Sequence, residues 1–419
     1  MSEALRLVSD ETRKETGDAA VFAKLRASFP ILSRTVNGCP LVYCDSAATS
    51  LTPNEVIDAE ADYYRTIGAN VHRGSHALAV EASEAYEGAR STVAAFIGAR
   101  TREVVFTANA TAALNLVAAG LYLSADAEVL ATNNEHHSAL LPFMKRGRLR
   151  TFVAAADRPL DPAEVLAQIG PRTRAIVIAH ASNVTGIVHP VREICCVARE
   201  LGVLTIVDAA QSAPHLPLDV RDLGCDFLAF SGHKLLGPTG IGVLYGRAEV
   251  LAALTPRDIG GGTVERATAT SYQWNAAPHS LEPGTPNIAG ALGLAEATRF
   301  LERIGWDALT RHAEVLTRAA FRGLSAVPGV SFVSSPEHTS LPTLSLTFPG
   351  YPIGVDVVAA TLSDRYGIMV RSGLHCAHPL FQQLALRDGA LRASFYVYNT
   401  LDDVDALCAG LTDILSVFR

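Results

Sequence analysis

The 419 residues are 49% hydrophobic and only 18% charged, enough for a large core and for two domains rather than one. The net charge of −7 comes without long acidic or basic blocks, and the one basic run, Lys145 to Arg150, is too short and isolated for a nucleic-acid footprint. No apolar run is long enough to span a bilayer, and the N-terminus mixes charges too early for a secretory leader, so no membrane partner and a cytoplasmic location are expected.

Along the chain, residues 1–20 read as a loose polar tail. From about 50 to 290, short apolar runs alternate with amphipathic helices. The runs at 103–109, 128–134, 174–182, 203–210, 226–232 and 241–246 are nearly continuous in apolar residues, as strands covered on both faces are. Between them, ATAALNLVAAGLYL and VREICCVARELG have helical spacing, so the chain reads as an α/β protein with a mostly parallel sheet whose ligands gather at the C-terminal strand ends. A turn-rich stretch at 260–287 precedes the helix AGALGLAEATRFLERIG. After about 300 the pattern becomes helix followed by short strands (TLSLTF, IMVRSG, LRASFYVYN), which reads as a second, smaller domain. Its last helix starts at a capping box, Thr400 to Asp403, and carries an apolar stripe of Val404, Leu407, Cys408, Leu411, Ile414 and Leu415.

Two residue types invite a search. The seven cysteines show no repeating framework and no metal-ligand spacing, as expected of reduced thiols and a protein without a structural metal. Cys195, Cys196, Cys225 and Cys408 are expected to be buried structural residues. There are only four lysines, and Lys234 alone sits in an apolar, glycine-punctuated segment, after the strand DFLAFSG. Burial there would lower its amine pKa, as formation of a Schiff base requires.

The ends of the other strands carry a matching set. Asp208 closes the run VLTIVD, where a buried acid needs a partner, and a pyridinium is a fitting one. Gln211 follows it, within reach of a phenolate oxygen. His136, in NNEHHSAL, could stack on a ring and shuttle protons, with His137 beside it a polar structural residue. Asn183 follows the strand AIVIAHAS. Thr111 would bring a hydroxyl and a helix N-terminus to a phosphate, with Ser231 and His233 as further donors. Together these are the groups that pyridoxal 5'-phosphate (PLP) needs: a lysine, a carboxylate for the ring nitrogen, a partner for the phenolate, phosphate donors and a lid over the ring.

The chain resembles the type II, SufS-like cysteine desulfurases within the class V aminotransferase superfamily, over about residues 22–418. The resemblance is carried by YCDSAATSLTP, NVHRGSHALAVEASEAYEGAR, NEHHSALLPF, IVDAAQSAPH, FSGHKLLGPTGIGVLYG, EPGTPNIAG, VRSGLHCAHPL and RASFYVYNT. It implies the PLP-dependent transferase fold type I, with a large domain at 50–295 built on a mostly parallel seven-stranded sheet. A smaller α+β C-terminal domain at 296–419 would carry Cys376, and the segment 21–49 would pack with it. It implies a homodimer with shared active sites, L-cysteine or a related amino acid as substrate, and a possible sulfur-acceptor protein. Lys234 would be the Schiff-base lysine, Asp208 the pyridine partner and Gln211 the phenolate partner. His136 would stack on the ring, and Thr111, Ser231 and His233 would hold the phosphate, with Thr285 reaching the partner subunit's cofactor. Asn183 and Arg392 would hold the substrate carboxylate, while His72 and Arg73 line the site from across the interface. Cys376 would be the nucleophile that takes the sulfur as a persulfide, near Arg371 and His375 in an electropositive turn that favours thiolate.

The match departs from the family in two places. The usual Arg-Gly-Thr-Thr-Glu run is Ala108-Asn109-Ala110-Thr111-Ala112 here, which removes one phosphate hydroxyl and an interface carboxylate, and Leu374 stands where a second histidine is common. Other reactions on the same scaffold therefore stay open: a C–S lyase, a selenocysteine lyase or an aminotransferase-like tailoring enzyme. A non-catalytic PLP-binding scaffold is the alternative of a different class.

Overall fold

The computed structural model describes residues 19–72 and 74–418, so the expectations for residues 1–18 and for Arg73 lie outside the described residues. Seven strands form the central sheet: β2 (Val104–Thr107), β3 (Glu128–Thr132), β4 (Leu149–Phe152), β5 (Thr173–Ala179), β6 (Leu204–Asp208), β7 (Phe227–Ser231) and β8 (Gly242–Gly246), with β1 reserved for a short strand near the N-terminus, Val42–Tyr43. Their order is β2-β8-β7-β6-β5-β3-β4, and only β8 runs antiparallel to its neighbours. The mostly parallel, seven-stranded sheet is thus present. Six of its strands coincide with the apolar runs of the sequence. The seventh, β4, falls inside and just after the basic run, at the edge of the sheet. Its residues are only partly covered, so it lacks the apolar signature of its neighbours.

Successive side chains of the inner strands feed opposite layers. Val243 and Phe230 join one core with helices α2 (Ala77–Phe96) and α6 (Ile288–Ile304), which lie on one face. Leu244 and Ala229 join the other with α3 (Ala110–Gly120) and α4 (His137–Lys145). Helix α5 (Val191–Glu200) covers Ile176 and Ile178 through Val191, Ile194 and Ala198. Cys195 faces inward, but its neighbour Cys196 is exposed, which corrects the expectation that it is buried. Adjacent helix positions lie about 100° apart, and the apolar stripe here takes only one of the two.

A second, antiparallel sheet is ordered β9-β10-β13-β12, from Ser331–Phe332, Thr343–Thr347, Ala390–Ser394 and Arg371–Gly373. Helices α7 (Trp306–Ser325), α8 (Val355–Tyr366) and α10 (Leu401–Ser416) cover it. The Thr400 to Asp403 capping box forms as read, and the whole apolar stripe of α10 is buried. Near the N-terminus, β1 pairs in parallel with β11 (Ile368–Met369) as a separate two-stranded sheet, and a bridge from Asp45 to Ser394 of β13 stitches this early segment to the C-terminal sheet. The turn-rich stretch contains an exposed hairpin, Val264–Ala267 against Tyr272–Trp274, whose polar composition hid it from the sequence reading. Among the described residues no helix is long and apolar enough to cross a membrane.

One buried ion pair locks the loop before α6 to the sheet. Arg90 of α2 is fully buried and sits 5.0 and 4.9 Å from the ring centres of Tyr86 and Phe106. Glu282 bridges to it with both oxygens and also accepts from the Phe106 N–H at 2.6 Å and the Tyr86 hydroxyl at 3.1 Å. Breaking a buried pair leaves the surviving charge uncompensated. Glu282→Ala is therefore expected to destabilise the fold by about 3–5 kcal/mol, read from chemical denaturation; a loss within about 0.5 kcal/mol, the range of a plain surface change, would contradict the assignment.

Candidate functional site

The C-terminal ends of β2, β3, β5, β6 and β7 point the same way, since β2 and β7 both run antiparallel to the intervening β8. Each delivers at least one candidate residue. Thr111 lies in the first turn of α3 after β2, and His136 caps α4 after β3. Asn183 follows β5, Asp208 ends β6, and Ser231, His233 and Lys234 close β7 and the turn beyond it. The second sheet faces them with Arg371, His375, Cys376 and Arg392. Together with Gln211, all these side chains line one cavity of about 450 Å³.

Burial sets the charge states. The Lys234 amine, at the cavity wall, is held down to about 8 by burial; the Asp208 carboxylate opposes that shift and the Arg392 guanidinium adds to it. Asp208 is raised by burial, with the Ala210 N–H (3.0 Å) and Lys234 pulling the other way. His136 is lowered to about 4 by burial and by Lys234. Its Nδ1 accepts the Ser138 N–H at 3.1 Å, so the neutral ring carries its proton on Nε2. His375 is lowered to about 3, mainly by burial, and its Nε2 lies 3.0 Å from the Ala390 carbonyl. His233 is likewise pushed down to about 4 by burial and then by Lys234.

The arginines are organised by a residue that the sequence reading quoted but did not single out. Asp45, buried in YCDSAATS, accepts from Arg371 Nε and Nη2 at 3.0 and 2.8 Å, and from Arg392 Nη2 at 3.3 Å. The signal was available: an acid inside an apolar run needs a buried cation. Arg392 also donates to the Asn183 carbonyl at 3.0 Å, while the Asn183 amide donates to the His375 carbonyl at 2.8 Å. Cys376 is exposed, and His375 and Cys376 both have positive φ, 46° and 56°. The Cys376 carbonyl accepts the His137 N–H at 2.8 Å, so the turn is tied to the start of α4.

Some candidates have other surroundings. Gln211 donates from Nε2 to the Ala47 carbonyl at 2.8 Å, leaving its second N–H for the cavity it lines. Thr285 borders a separate cleft of about 290 Å³ with Tyr86, Arg257 and Glu282. His72 lies outside the cavity too, with its Nε2 3.0 Å from Glu87 and its ring 5.2 Å from that of His279.

The residues present fit a pyridoxal phosphate. The amine, the strand-end carboxylate, and the hydroxyls beside a helix N-terminus match its aldehyde, ring nitrogen and phosphate. Two buried polar atoms of residues in the cavity wall, Arg392 Nε and His375 Nδ1, lack a partner among the described residues, as expected where a polar ligand completes the site.

This fold and lysine-bearing cavity define an enzyme of the PLP type, and comparison with known proteins gives its family. The Aminotransferase class-V family model matches residues 42–407, and the chain belongs to that family. A protein named "Probable cysteine desulfurase" from Halalkalibacterium halodurans is 43% identical over 397 residues, covering 93% of this chain and 96% of its own. The apo structure of a cysteine desulfurase from Thermococcus onnurineus NA1 superimposes with a TM-score of 0.87 at 38% identity, over 94% of this chain and 98% of that one. A lysine-to-alanine mutant of C-DES, solved with glycine covalently linked to its PLP cofactor, gives a TM-score of 0.79 at 25% identity, over 93% and 99%.

The depressed amine can be read directly. In the cofactor-free protein, acylation of Lys234 should rise with pH through about 8, because only the unprotonated amine reacts and burial favours that form. Mass measurement of the Lys234 peptide across a pH series checks this; half-labelling near the ordinary lysine value would contradict the assigned environment.

Proposed function

We infer that this chain is a PLP-dependent cysteine desulfurase, which converts L-cysteine to L-alanine and leaves the sulfur as a persulfide on Cys376 for transfer to an acceptor. The observation that carries the reading is that Lys234 and Cys376, the one suited to an imine and the other to a persulfide, line the same cavity with Asp208 and Arg392. When bound at Lys234, PLP supplies the electron sink that labilises the substrate α-proton.

The chain's own residues supply the rest. Asp208 would hold a proton on the pyridine nitrogen and Gln211 would serve the phenolate oxygen, while Thr111, Ser231 and His233 would hold the phosphate. Arg392 and Asn183 orient the substrate carboxylate, with Arg371 and His375 completing that side of the cavity. A guanidinium suits this task because its planar fork matches a carboxylate. Lys234, with an amine able to exchange protons near neutral pH, would move the α-proton, and His136, lining the same cavity, would cover the ring and assist. Cys376, as thiolate, attacks the substrate sulfur: an S–S bond forms, the substrate C–S bond breaks, and the carbon keeps the electron pair that a proton then satisfies to give alanine. No outside oxidant or reductant is required for that step.

The same reading makes the protein a cytoplasmic homodimer. Thr285 and His72 lie outside their own chain's cavity, as expected of residues that complete the partner's site, the role that the resemblance also implies for Arg73. It also divides the chain into a large cofactor-binding domain at 50–295 and a smaller domain at 296–419, which carries Cys376 and takes the segment 21–49 against it. Persulfide sulfur passes from Cys376 to a protein or small-molecule thiol.

Two variants separate the roles. Cys376→Ala should keep the yellow PLP absorbance and lose alanine formation from L-cysteine in the presence of a reductant by roughly 10²-fold or more; full activity would remove the persulfide step. Lys234→Ala should lose the imine absorbance, and an unchanged spectrum would overturn the assignment of the anchor.

A further inference from the structure

We propose that the Ser138 hydroxyl is a cofactor-phosphate ligand of this chain, taking over from the hydroxyl that Ala110 removes from the loop ahead of α3. The proposal deepens the PLP reading above and rests on it.

The geometry begins with two helices. Thr111 is the second residue of α3, capped by Asn109, and Ser138 is the second residue of α4, capped by His136. The two N-termini converge on the cavity, and the Thr111 Oγ1 and Ser138 Oγ atoms lie 2.7 Å apart. Both hydroxyls belong to residues of the cavity wall. One of them must donate to the other here, yet each has a proton that could instead point at an anion, so an entering phosphate gains two O–H donors by breaking one hydrogen bond.

The backbone amides decide why a side chain is needed. At the start of α4, the His137 N–H is used by the Cys376 carbonyl and the Ser138 N–H by His136 Nδ1. At the start of α3, the Ala110 N–H donates to Ser231 Oγ at 2.8 Å and the Ala112 N–H to Asn109 Oδ1 at 2.9 Å. Among these four only the helix dipoles remain to favour an anion through space. The Thr111 N–H is the one amide at the start of α3 left without a partner among the described residues, so any further donor from these two first turns must be a hydroxyl, and Ala110 and Ala112 supply none. Ser138, buried and pinned by the first turn of α4, fills that gap from a different strand end.

The role separates phosphate from ring. Apo protein and its Ser138→Ala variant would be titrated with PLP and with pyridoxal, which lacks the phosphate, following absorbance of the imine. The expected result is a roughly tenfold weaker PLP dissociation constant in the variant, the size of one lost charge-assisted hydrogen bond, with pyridoxal affinity unchanged. Unaltered PLP binding would overturn the proposal, and so would an equal loss for both ligands, which would mark Ser138 as merely structural. Failure of the parent reading looks different: wild-type apo protein would then form no imine with PLP at all.

Discussion

The structure depends on how it accommodates the Arg392 guanidinium, a cation only 2% exposed. Such a charge is stable in a protein interior only if surrounding groups replace its water. Asp45 answers it from the N-terminal segment, and the Asn183 carbonyl answers it from the turn after β5. Asn183 then holds the His375 carbonyl, next to Cys376. One buried cation therefore joins the early chain, the central sheet, the C-terminal sheet and the thiol-bearing turn. Its Nε proton has no partner among the described residues, which leaves it for an acceptor in the cavity.

The same electrostatic logic sorts the remaining groups. Lys234, Arg371 and Arg392 bring positive charge to the cavity wall, and Asp45 offsets the two arginines from behind. Three imidazoles, His136, His233 and His375, are held neutral by burial and by those cations. Neutral rings can stack, accept and donate without adding to the positive field, which leaves that field for anionic substrate groups. Lys234 shares the effect, since burial brings its amine near neutrality, where it can exchange a proton in either direction.

Much of this was legible in the sequence because the constraints are local. Buried parallel strands must be apolar throughout, so six of the seven announced themselves, while edge strand β4 hid among arginines. Strand-end residues such as Asp208 and Lys234 stood out as polar groups closing apolar runs. What escaped depends on pairing between distant segments. Asp45 makes sense only against Arg371 and Arg392, more than 300 positions later. Ser138 was hidden beside two more conspicuous histidines, and its meaning comes from Thr111 on another helix. Cys196 was misread because adjacency to Cys195 says nothing about which of two helix positions faces the core.

The turn at Cys376 shows how the backbone prepares the chemistry. Two consecutive residues with side chains, His375 and Cys376, occupy the left-handed region, which costs roughly 1–2 kcal/mol for each. The surroundings offset that cost with bonds from both sides. The Asn183 amide holds the His375 carbonyl, the His375 ring meets the Ala390 carbonyl, the His137 N–H holds the Cys376 carbonyl, and the Ala377 N–H closes the turn on Leu374. None of these anchors uses the Cys376 side chain. Leu374 contributes its carbonyl to the turn, a task indifferent to side-chain identity. The strained conformation is thus held by elements of both sheets, and these anchors leave the Cys376 side chain unused beside the cavity. On the proposed reading, a nucleophile held by these bonds already lines the cavity and needs no long mobile loop to reach it.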